Sequence, residues 1–544
     1  MKTGFCWAFL ALVALLPGQA LAEDGGACPR PSVGQTIDPP PDLTSQGGVL
    51  KVDFNYYTSV DNEGRTLFCF VTPDGKESPT LHVWPGDTIE MTVTNMVPAA
   101  PGAPSEIVSQ GETACGNTTM TITSLNVHFH GTNTSPTCHS DETIFTLINS
   151  GETFKYRIKI PRDEPPGMYW YHPHVHGTSS VALEGGACGA IVVEGIENFQ
   201  PAVVGLPQRV LLLRDMPLIG GAALTKIPVG PAPFWDLSLN YVPVVYPLYR
   251  PAVIKMHAGE KEFWRVVNAS ANSIFDIQLK YDGVQQPMQI VALDGVPTGS
   301  QDGQHQGTTI TQNDILIPPA GRVEFIVPAP PASLRHAELS TIGIDTGPLG
   351  DSLPSRPIAT VELTQDKLDL PVGKSSGKPN PQRFAGLERI KPSVTRHLYF
   401  SETFGHAEQK QPHNDSGLGV HFFITVKGQE PKLFDPNDPP AITTKQGAVE
   451  DWIIQNHAPE VHEFHIHQIH FLLLAVNGVP VPKEQRQFYD TFQVPYWDQI
   501  GKYPSIKVRM DFRGPVVGDF VYHCHILQHE DGGMMAKIRV LPKT

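Results

Sequence analysis

One ten-residue pattern occurs three times along this 544-residue chain, and it limits the possible folds more than any other feature. Gly86-Asp-Thr-Ile-Glu-Met-Thr-Val-Thr-Asn95 recurs as Gly259-Glu-Lys-Glu-Phe-Trp-Arg-Val-Val-Asn268 and again as Gly447-Ala-Val-Glu-Asp-Trp-Ile-Ile-Gln-Asn456. Each copy opens on Gly, closes on Asn nine positions later, and has an apolar, strand-like second half. The copies lie a domain's length apart, and self-similarity at such spacing marks a repeated architecture. A chain this long exceeds one ordinary core and has room for two to four domains. Three copies of one domain are therefore expected.

The type of domain follows from alternation. Leu50, Val52 and Phe54, then Phe154, Tyr156, Ile158 and Ile160, repeat with a period of two, the period of a half-buried strand. The 52 prolines and 49 glycines, with only 17% charged residues, indicate many turns between short strands. The chain reads as all-β, built of antiparallel sandwiches. Asp366–Pro392, crowded with Gly, Ser, Lys and Pro, reads as the connector into the last domain, and a weaker boundary falls near Glu197–Gly205. Val97–Thr123 reads as a long loop. The expected segmentation is 1–22, 23–198, 199–370 and 371–544.

Met1–Ala22 reads as a secretory signal: Lys2 supplies the charge, Phe5–Leu16 the apolar run and Ala20-Leu21-Ala22 the cleavage site. A membrane anchor is the alternative, disfavoured by the short run; no later segment offers the roughly 20 apolar residues of a spanning helix. A secreted or periplasmic protein without a membrane anchor is expected, as a monomer. A formal net charge of −15 without a basic run argues against nucleic-acid and anionic-membrane partners. Of seven cysteines, Cys6 leaves with the signal. Cys28, Cys69, Cys115, Cys138 and Cys188 allow at most two bridges in an oxidising compartment. Cys115 and Cys138 bracket the first histidine motif and could staple its loop.

The seventh cysteine sits in the segment richest in chemistry, residues 523–535, His-Cys-His-Ile-Leu-Gln-His-Glu-Asp-Gly-Gly-Met-Met. Val521 and Tyr522 ahead of it suggest a strand, on which alternate side chains face opposite ways. His523 and His525 then share one face and Cys524 takes the other. With His529 and Met534, Cys524 can complete a His2Cys site with a weak axial Met, the ligand set of blue-copper electron transfer. One segment would wire two metal sites together.

Three further clusters carry paired histidines: His128-Phe-His130-Gly131, Tyr171-His172-Pro-His174-Val-His176-Gly177 and His462-Glu-Phe-His465-Ile-His467. A lone His-x-His pair is usually a surface or internally satisfied pair. Four clusters, two in the first domain and two in the third, point together to a metal cluster. Imidazole suits copper, zinc, iron or nickel, and His2Cys with Met selects copper; zinc in a Cys/His site is the competing reading.

The four clusters, in this order, resemble those of the multicopper oxidases, the family of laccases, bilirubin oxidases and copper efflux oxidases. Trp84-Pro-Gly-Asp87, Met288-Gln-Ile-Val-Ala-Leu-Asp-Gly295 and Asp490-Thr-Phe-Gln-Val-Pro495 resemble family segments as well. The resemblance implies three consecutive cupredoxin-like Greek-key β-sandwich domains and four copper ions. It implies that His462, Cys524 and His529 bind a type-1 copper with Met534 axial. His128 and His465 would bind the type-2 copper, and His130, His172, His174, His467, His523 and His525 the type-3 pair. The three-copper cluster would lie between the first and third domains, with the middle domain a spacer. His139, His176 and His470 are expected to support the ligands or the structure rather than bind copper, and Met535 to pack.

Reduction of O2 to water consumes four electrons and four protons. Asp141 and Glu530 are the candidate proton-bearing acids, since burial suits a carboxyl to proton transfer; for each, a solvated loop acid is the alternative. Glu530-Asp531-Gly resembles the copper efflux oxidases here, and Leu527 stands where fungal and plant laccases usually have Glu. The expected reductants are phenols and aromatic amines, with Glu463 beside His462 read either as a group that orients a phenol or cation or, as readily, as a strand neighbour pointing away. Cuprous or ferrous ion is the alternative, and a non-catalytic cupredoxin-like binding protein or a copper nitrite reductase the remoter ones.

Overall fold

All three copies of the Gly–Asn repeat are strands holding the same place in their sheets: Thr88–Asn95, Lys261–Asn268 and Val449–Asn456. The computed structural model describes residues 26–218, 232–300, 305–373, 382–404 and 419–543. The expected signal segment and the centre of the 366–392 connector lie outside these residues. Each repeat strand has a parallel neighbour on one side: Val49–Val60, Gln208–Pro217 or Val394–Phe404. An antiparallel neighbour lies on the other: Thr153–Lys159, Arg322–Pro328 or Ser505–Asp511.

The two fixed residues of the repeat have physical roles. Gly86, Gly259 and Gly447 have φ of +95°, +78° and +96°, where a side chain would be strained. Asn95, Asn268 and Asn456 are fully buried and bond alike. Each amide nitrogen donates to two backbone carbonyls: Thr123 and Ile148, Ser273 and Ile317, or Glu460 and Val494. Each Oδ1 accepts the N–H two residues on, from Val97, Ser270 or Ala458, an Asx-turn. The Asn thus satisfies three backbone groups that burial would otherwise orphan.

Each repeat strand belongs to one face of a sandwich. In the first, the sheet ordered Thr153–Lys159, Thr88–Asn95, Val49–Val60, Thr66–Val71 faces the sheet ordered Asp42–Thr44, Thr80–Val83, Gly189–Val193, Gly167–His172, His128–His130. Leu50, Val52 and Phe54 meet Leu81, Phe129 and Ile191 in its core. The second joins Leu211, Trp264 and Val266 to Ile254, Ile277 and Ile358. The third joins Phe400, Trp452 and Val508 to Phe464, Tyr522 and Cys524. The expectation of purely antiparallel sandwiches is corrected, because every sandwich also contains parallel pairs. The chain crosses to the facing sheet and returns in its original direction, the crossover that parallel neighbours require. Alternating hydrophobicity reports a buried face, not a neighbour's direction.

A separate apolar cluster fills the junction of the sandwiches: Met168, Trp170 and Cys188 from the first, Val210, Leu212 and Val267 from the second, and Leu527 from the third. The two α-helices among the described residues, Ser179–Glu184 and Leu527–Asp531, meet there. The Asp531 carboxylate accepts the N–H groups of Gly177, Ser179 and Ser180, so the third sandwich caps the helix of the first. Disulfides join Cys28 to Cys69 and Cys115 to Cys138, leaving Cys188 and Cys524 as the buried thiols among the described residues. No helix among the described residues is long and apolar enough to cross a membrane.

Candidate metal centre

Eight histidines from four strand ends converge between the first and third sandwiches: His128, His130, His172, His174, His465, His467, His523 and His525, none more than 2% exposed. His128 and His130 come from the edge strand His128–His130, and His172 ends the strand beside it. His465 on His462–Ile466 pairs in register with His523 on Gly518–Cys524. The rings interleave across the domains. His128 stacks on His467 at 3.9 Å and His130 on His465 at 4.0 Å between centroids. His523 Nε2 lies 3.2 Å from His174 Nε2 and 3.1 Å from His467 Nε2.

One nitrogen of most rings is fixed and the other left over. His128 Nδ1 is 2.9 Å from Asp141 Oδ1, His172 Nδ1 2.8 Å from the Pro173 carbonyl, and His465 Nδ1 2.9 Å from the Asp490 carbonyl. His130 Nε2 faces Asp490 Oδ1 at 3.3 Å. The opposite atoms, His128 Nε2, His130 Nδ1, His172 Nε2 and His465 Nε2, are buried with no protein partner, as are His467 Nδ1 and both nitrogens of His525. Buried imidazole nitrogens are ordinarily satisfied, so this many without a partner, on histidines grouped with ligand atoms within 4.8 Å of one another, fit metal ions rather than packing. Burial, then the neighbouring imidazoles, pushes His130, His172, His465, His467 and His525 well below the usual histidine pKa. His174 and His523 are lowered to about 3, chiefly by burial. Neutral imidazole is the ligating form.

On the opposite face of the same strand, Cys524 Sγ lies 3.7 Å from His462 Nδ1 and 3.8 Å from His529 Nδ1, which are 3.1 Å from each other. Met534 is fully buried in the core cluster of Cys524, and its carbonyl accepts the Cys524 N–H. Burial pushes the thiol well above its usual pKa, a cost that a bound cation offsets because metal coordination deprotonates the sulfur. His523, Cys524 and His525 thus carry the two groups on consecutive residues.

The proposed acids are not solvated. Asp141 is 1% exposed; it accepts His128, the Phe129 N–H and the Gln468 amide. Glu530 is fully buried in the helix that carries His529, with His176 Nδ1 at 3.8 Å. Of the two readings of Glu463, the structure takes the strand neighbour pointing away: it is buried against Gln493 and pushed well above the usual carboxylate pKa by burial. It cannot meet a substrate; instead its N–H donates to Cys524 Sγ and its carbonyl accepts the His525 N–H. His470 reaches the Asp294 carbonyl, and His139 stacks on Phe154.

Two carboxylates escaped sequence reading. Glu402 Oε1 lies 3.1 Å from His462 Nε2, and Glu460 Oε1 3.3 Å from His529 Nε2. Glu460 is raised to about 10, first by burial and then by the Glu402 carboxylate hydrogen-bonded to it. Glu460 stands two residues before His462, but nothing in the strand Val394–Phe404 marks Glu402. Arg322 and Asp294 of the middle sandwich and Asp490 of the third, around His130, were likewise missed as site residues.

Two family profiles, both described as multicopper oxidase, match residues 405–544 and 114–198. Relatives include "Multicopper oxidase mco" of Staphylococcus haemolyticus, 24% identical over 70% of each chain. The "Laccase" of Bacillus subtilis is 21% identical over 71% of this chain and 73% of its own. Among solved structures, a McoA multicopper oxidase variant of Aquifex aeolicus superposes with a TM-score of 0.65 at 17% identity, covering 93% of this chain and all of that one. A multicopper oxidase of Campylobacter jejuni gives 0.64 at 21% identity, covering 94% and 96%. These neighbours share its succession of cupredoxin-like sandwiches. With the histidine cluster joined to the Cys524 site, the profiles over 114–198 and 405–544 and the relatives together support the multicopper oxidase family, whose members are copper-dependent oxidoreductases that carry four copper ions and use O2 as electron acceptor.

Proposed function

We propose that this oxidase draws its electrons from a small metal cation, ferrous ion before cuprous, at the outer edge of His462 and His529. The observation that carries this is the carboxylate pair: each type-1 histidine presents its outer nitrogen to a glutamate, Glu402 or Glu460. Carboxylate oxygens are hard donors that suit ferrous ion, whereas cuprous ion favours thioether sulfur, and the chain has 11 methionines without a Met-rich insert. A second reading, oxidation of phenols and aromatic amines, draws on the same pair. A carboxylate there can accept the proton a phenol releases as it loses an electron, and the Bacillus subtilis relative is named a laccase.

In this reading Cys524, His462, His529 and Met534 hold the type-1 copper, His128 and His465 the type-2 copper. His130, His172 and His525 hold one ion of the type-3 pair, and His174, His467 and His523 the other. The ligands come from domains we assign to 23–198 and 371–544, joined by 199–370. Bound copper supplies one-electron uptake at the Cys524 site and four-electron reduction of O2 at the histidine cluster. Cys524 links the two through its own backbone to His523 and His525. Asp141 orients His128, while Glu530, buried beside His176, is placed to hold a proton for the reduced oxygen.

Oxygen uptake by copper-loaded protein with ferrous ion, cuprous ion and a methoxyphenol tests the reading. Ferrous ion should give the highest kcat/KM, and Glu402→Gln with Glu460→Gln should lower it at least about tenfold, near 1.4 kcal/mol. The phenol value should move far less. Preference for the phenol in the parent enzyme would establish the second reading; uptake with none of the three would sink both.

A further inference from the structure

The middle sandwich supplies none of the eight clustered histidines, yet its Arg322 reaches the cluster's edge. Arg322 and Asp490 are both fully buried and form a two-pronged ion pair. Nη1 donates to Asp490 Oδ1 at 2.7 Å and Nη2 donates to Oδ2. Asp490 Oδ1 also accepts the Thr491 hydroxyl at 3.0 Å and lies 3.3 Å from His130 Nε2. The Asp490 carbonyl and the Thr491 hydroxyl hold His465 Nδ1 at 2.9 and 3.1 Å.

Arg322 is in turn anchored to all three sandwiches. Its Nε donates to the Met168 carbonyl of the first at 3.2 Å. Its own N–H donates to Asp294 Oδ1 at 2.9 Å, while Asp294 Oδ2 accepts the N–H groups of Asp490 and Thr491. The pair also explains Gly131, the residue after His130. At φ +84°, a Cβ there would stand 2.4 Å from Arg322 Nη2 and 2.7 Å from Asp490 Oδ2. The His-x-His-Gly strand end is therefore moulded onto this ion pair.

We infer that Arg322 is a positioning residue for the three-copper cluster: it locks the Asp490 carboxylate that turns His130 so that Nδ1 faces the copper, while the adjoining Thr491 and Asp490 carbonyl aim His465 Nε2. The middle domain then does more than separate its neighbours. A carboxylate that fixes a ligand imidazole sets its tautomer and basicity, and removing such support costs about 10–100-fold in metal affinity. Arginine is required because only its planar fork meets both carboxylate oxygens at once.

The inference rests on His130 and His465 being copper ligands, and the experiment separates the two claims. Copper bound per chain is followed during challenge with a chelator. Electron paramagnetic resonance reads the cluster copper, and the blue absorption of the Cys524 site reports the type-1 copper. Arg322→Lys and Arg322→Met should lose cluster copper at least about tenfold faster than the parent, with an altered type-2 signal and blue absorption retained. Arg209→Met, which breaks the buried Arg209–Glu262 pair of the same sandwich, should lower stability without selective copper loss. If Arg322→Met does not fold, the double variant Arg322→Met/Asp490→Asn removes the unpaired charge and should show the same selective loss. Parental copper retention in Arg322→Lys and the double variant, or loss of all four coppers together, overturns the inference. Retention of all four in His130→Gln would overturn the ligand assignment itself.

Discussion

The buried Asn that closes each repeat offers a sharp perturbation, because three equivalent residues make equivalent bonds in different surroundings. Asn268→Ala deletes hydrogen bonds to the Ser273 and Ile317 carbonyls at 2.8 and 2.9 Å and from the Ser270 N–H at 3.0 Å. A made bond contributes about 1 kcal/mol net, so the lower figure is about 3 kcal/mol. Stranding the three backbone groups without water raises it toward ~5 kcal/mol. At about 2 kcal/mol per molar of urea, the middle sandwich's unfolding midpoint should fall by ~1.5 M or more, followed by tryptophan fluorescence from Trp235 and Trp264 in its sheet. Asn456→Ala should cost the same in the third sandwich and do further damage, because its lost partners include the Glu460 carbonyl, in the loop that delivers His462. The folded variant should show reduced blue absorption per bound copper, whereas folded Asn268→Ala should not. Midpoint shifts below ~0.3 M in both variants, or unchanged blue absorption in Asn456→Ala, would refute the assignment of these residues as loop anchors.

Two further outcomes are expected. Met534→Leu, in the buried core beside Cys524, should raise the type-1 reduction potential by about 60 mV, near 1.4 kcal/mol for one electron; an unchanged redox titration would remove Met534 from the site. His82 is buried, which by itself lowers an imidazole's pKa, but Asp42 and Glu194 outweigh this and hold it at about 9. Raised above its unfolded value, it contributes stability fully present below pH ~6.5 and lost as pH rises through about 9. Discounted for the part-exposed Asp42, the effect is on the order of 2 kcal/mol. His82→Gln should flatten the pH dependence of the first sandwich's melting over that interval, and an unchanged slope would contradict the pairing.

How much of this was legible beforehand depended on how local the information was. The repeat and the period-two alternation announced three β units because both are written in consecutive residues. The His-x-His pairs and the His-Cys-His segment were equally plain, since a strand's geometry converts adjacent spacing into a shared or opposed face. Parallel neighbours could not be read, because direction is set by crossovers and not by a strand's own pattern. Glu402 and Arg322 were missed for a similar reason: each is an ordinary charged residue in its own strand, and only tertiary packing sets it against a histidine or the carboxylate beside one. Glu463 was legible only as a choice of two roles, and the strand decides it, since adjacency to His462 places a side chain on the other face.

The contact between His130 and Asp490 spans 360 residues of chain, and that separation is also an interval in time. At about 5–20 residues per second, Asp490 leaves the ribosome roughly 20–70 s after His130. Throughout that interval the four histidines of the first domain lack their facing partners; Asp141 and the Pro173 carbonyl already hold His128 and His172, but His130 waits for its carboxylate. Metal met then finds half a site and can be captured in the wrong arrangement. Correct loading therefore belongs to the finished chain, so the metal-free fold must persist long enough to act as the acceptor in its own maturation.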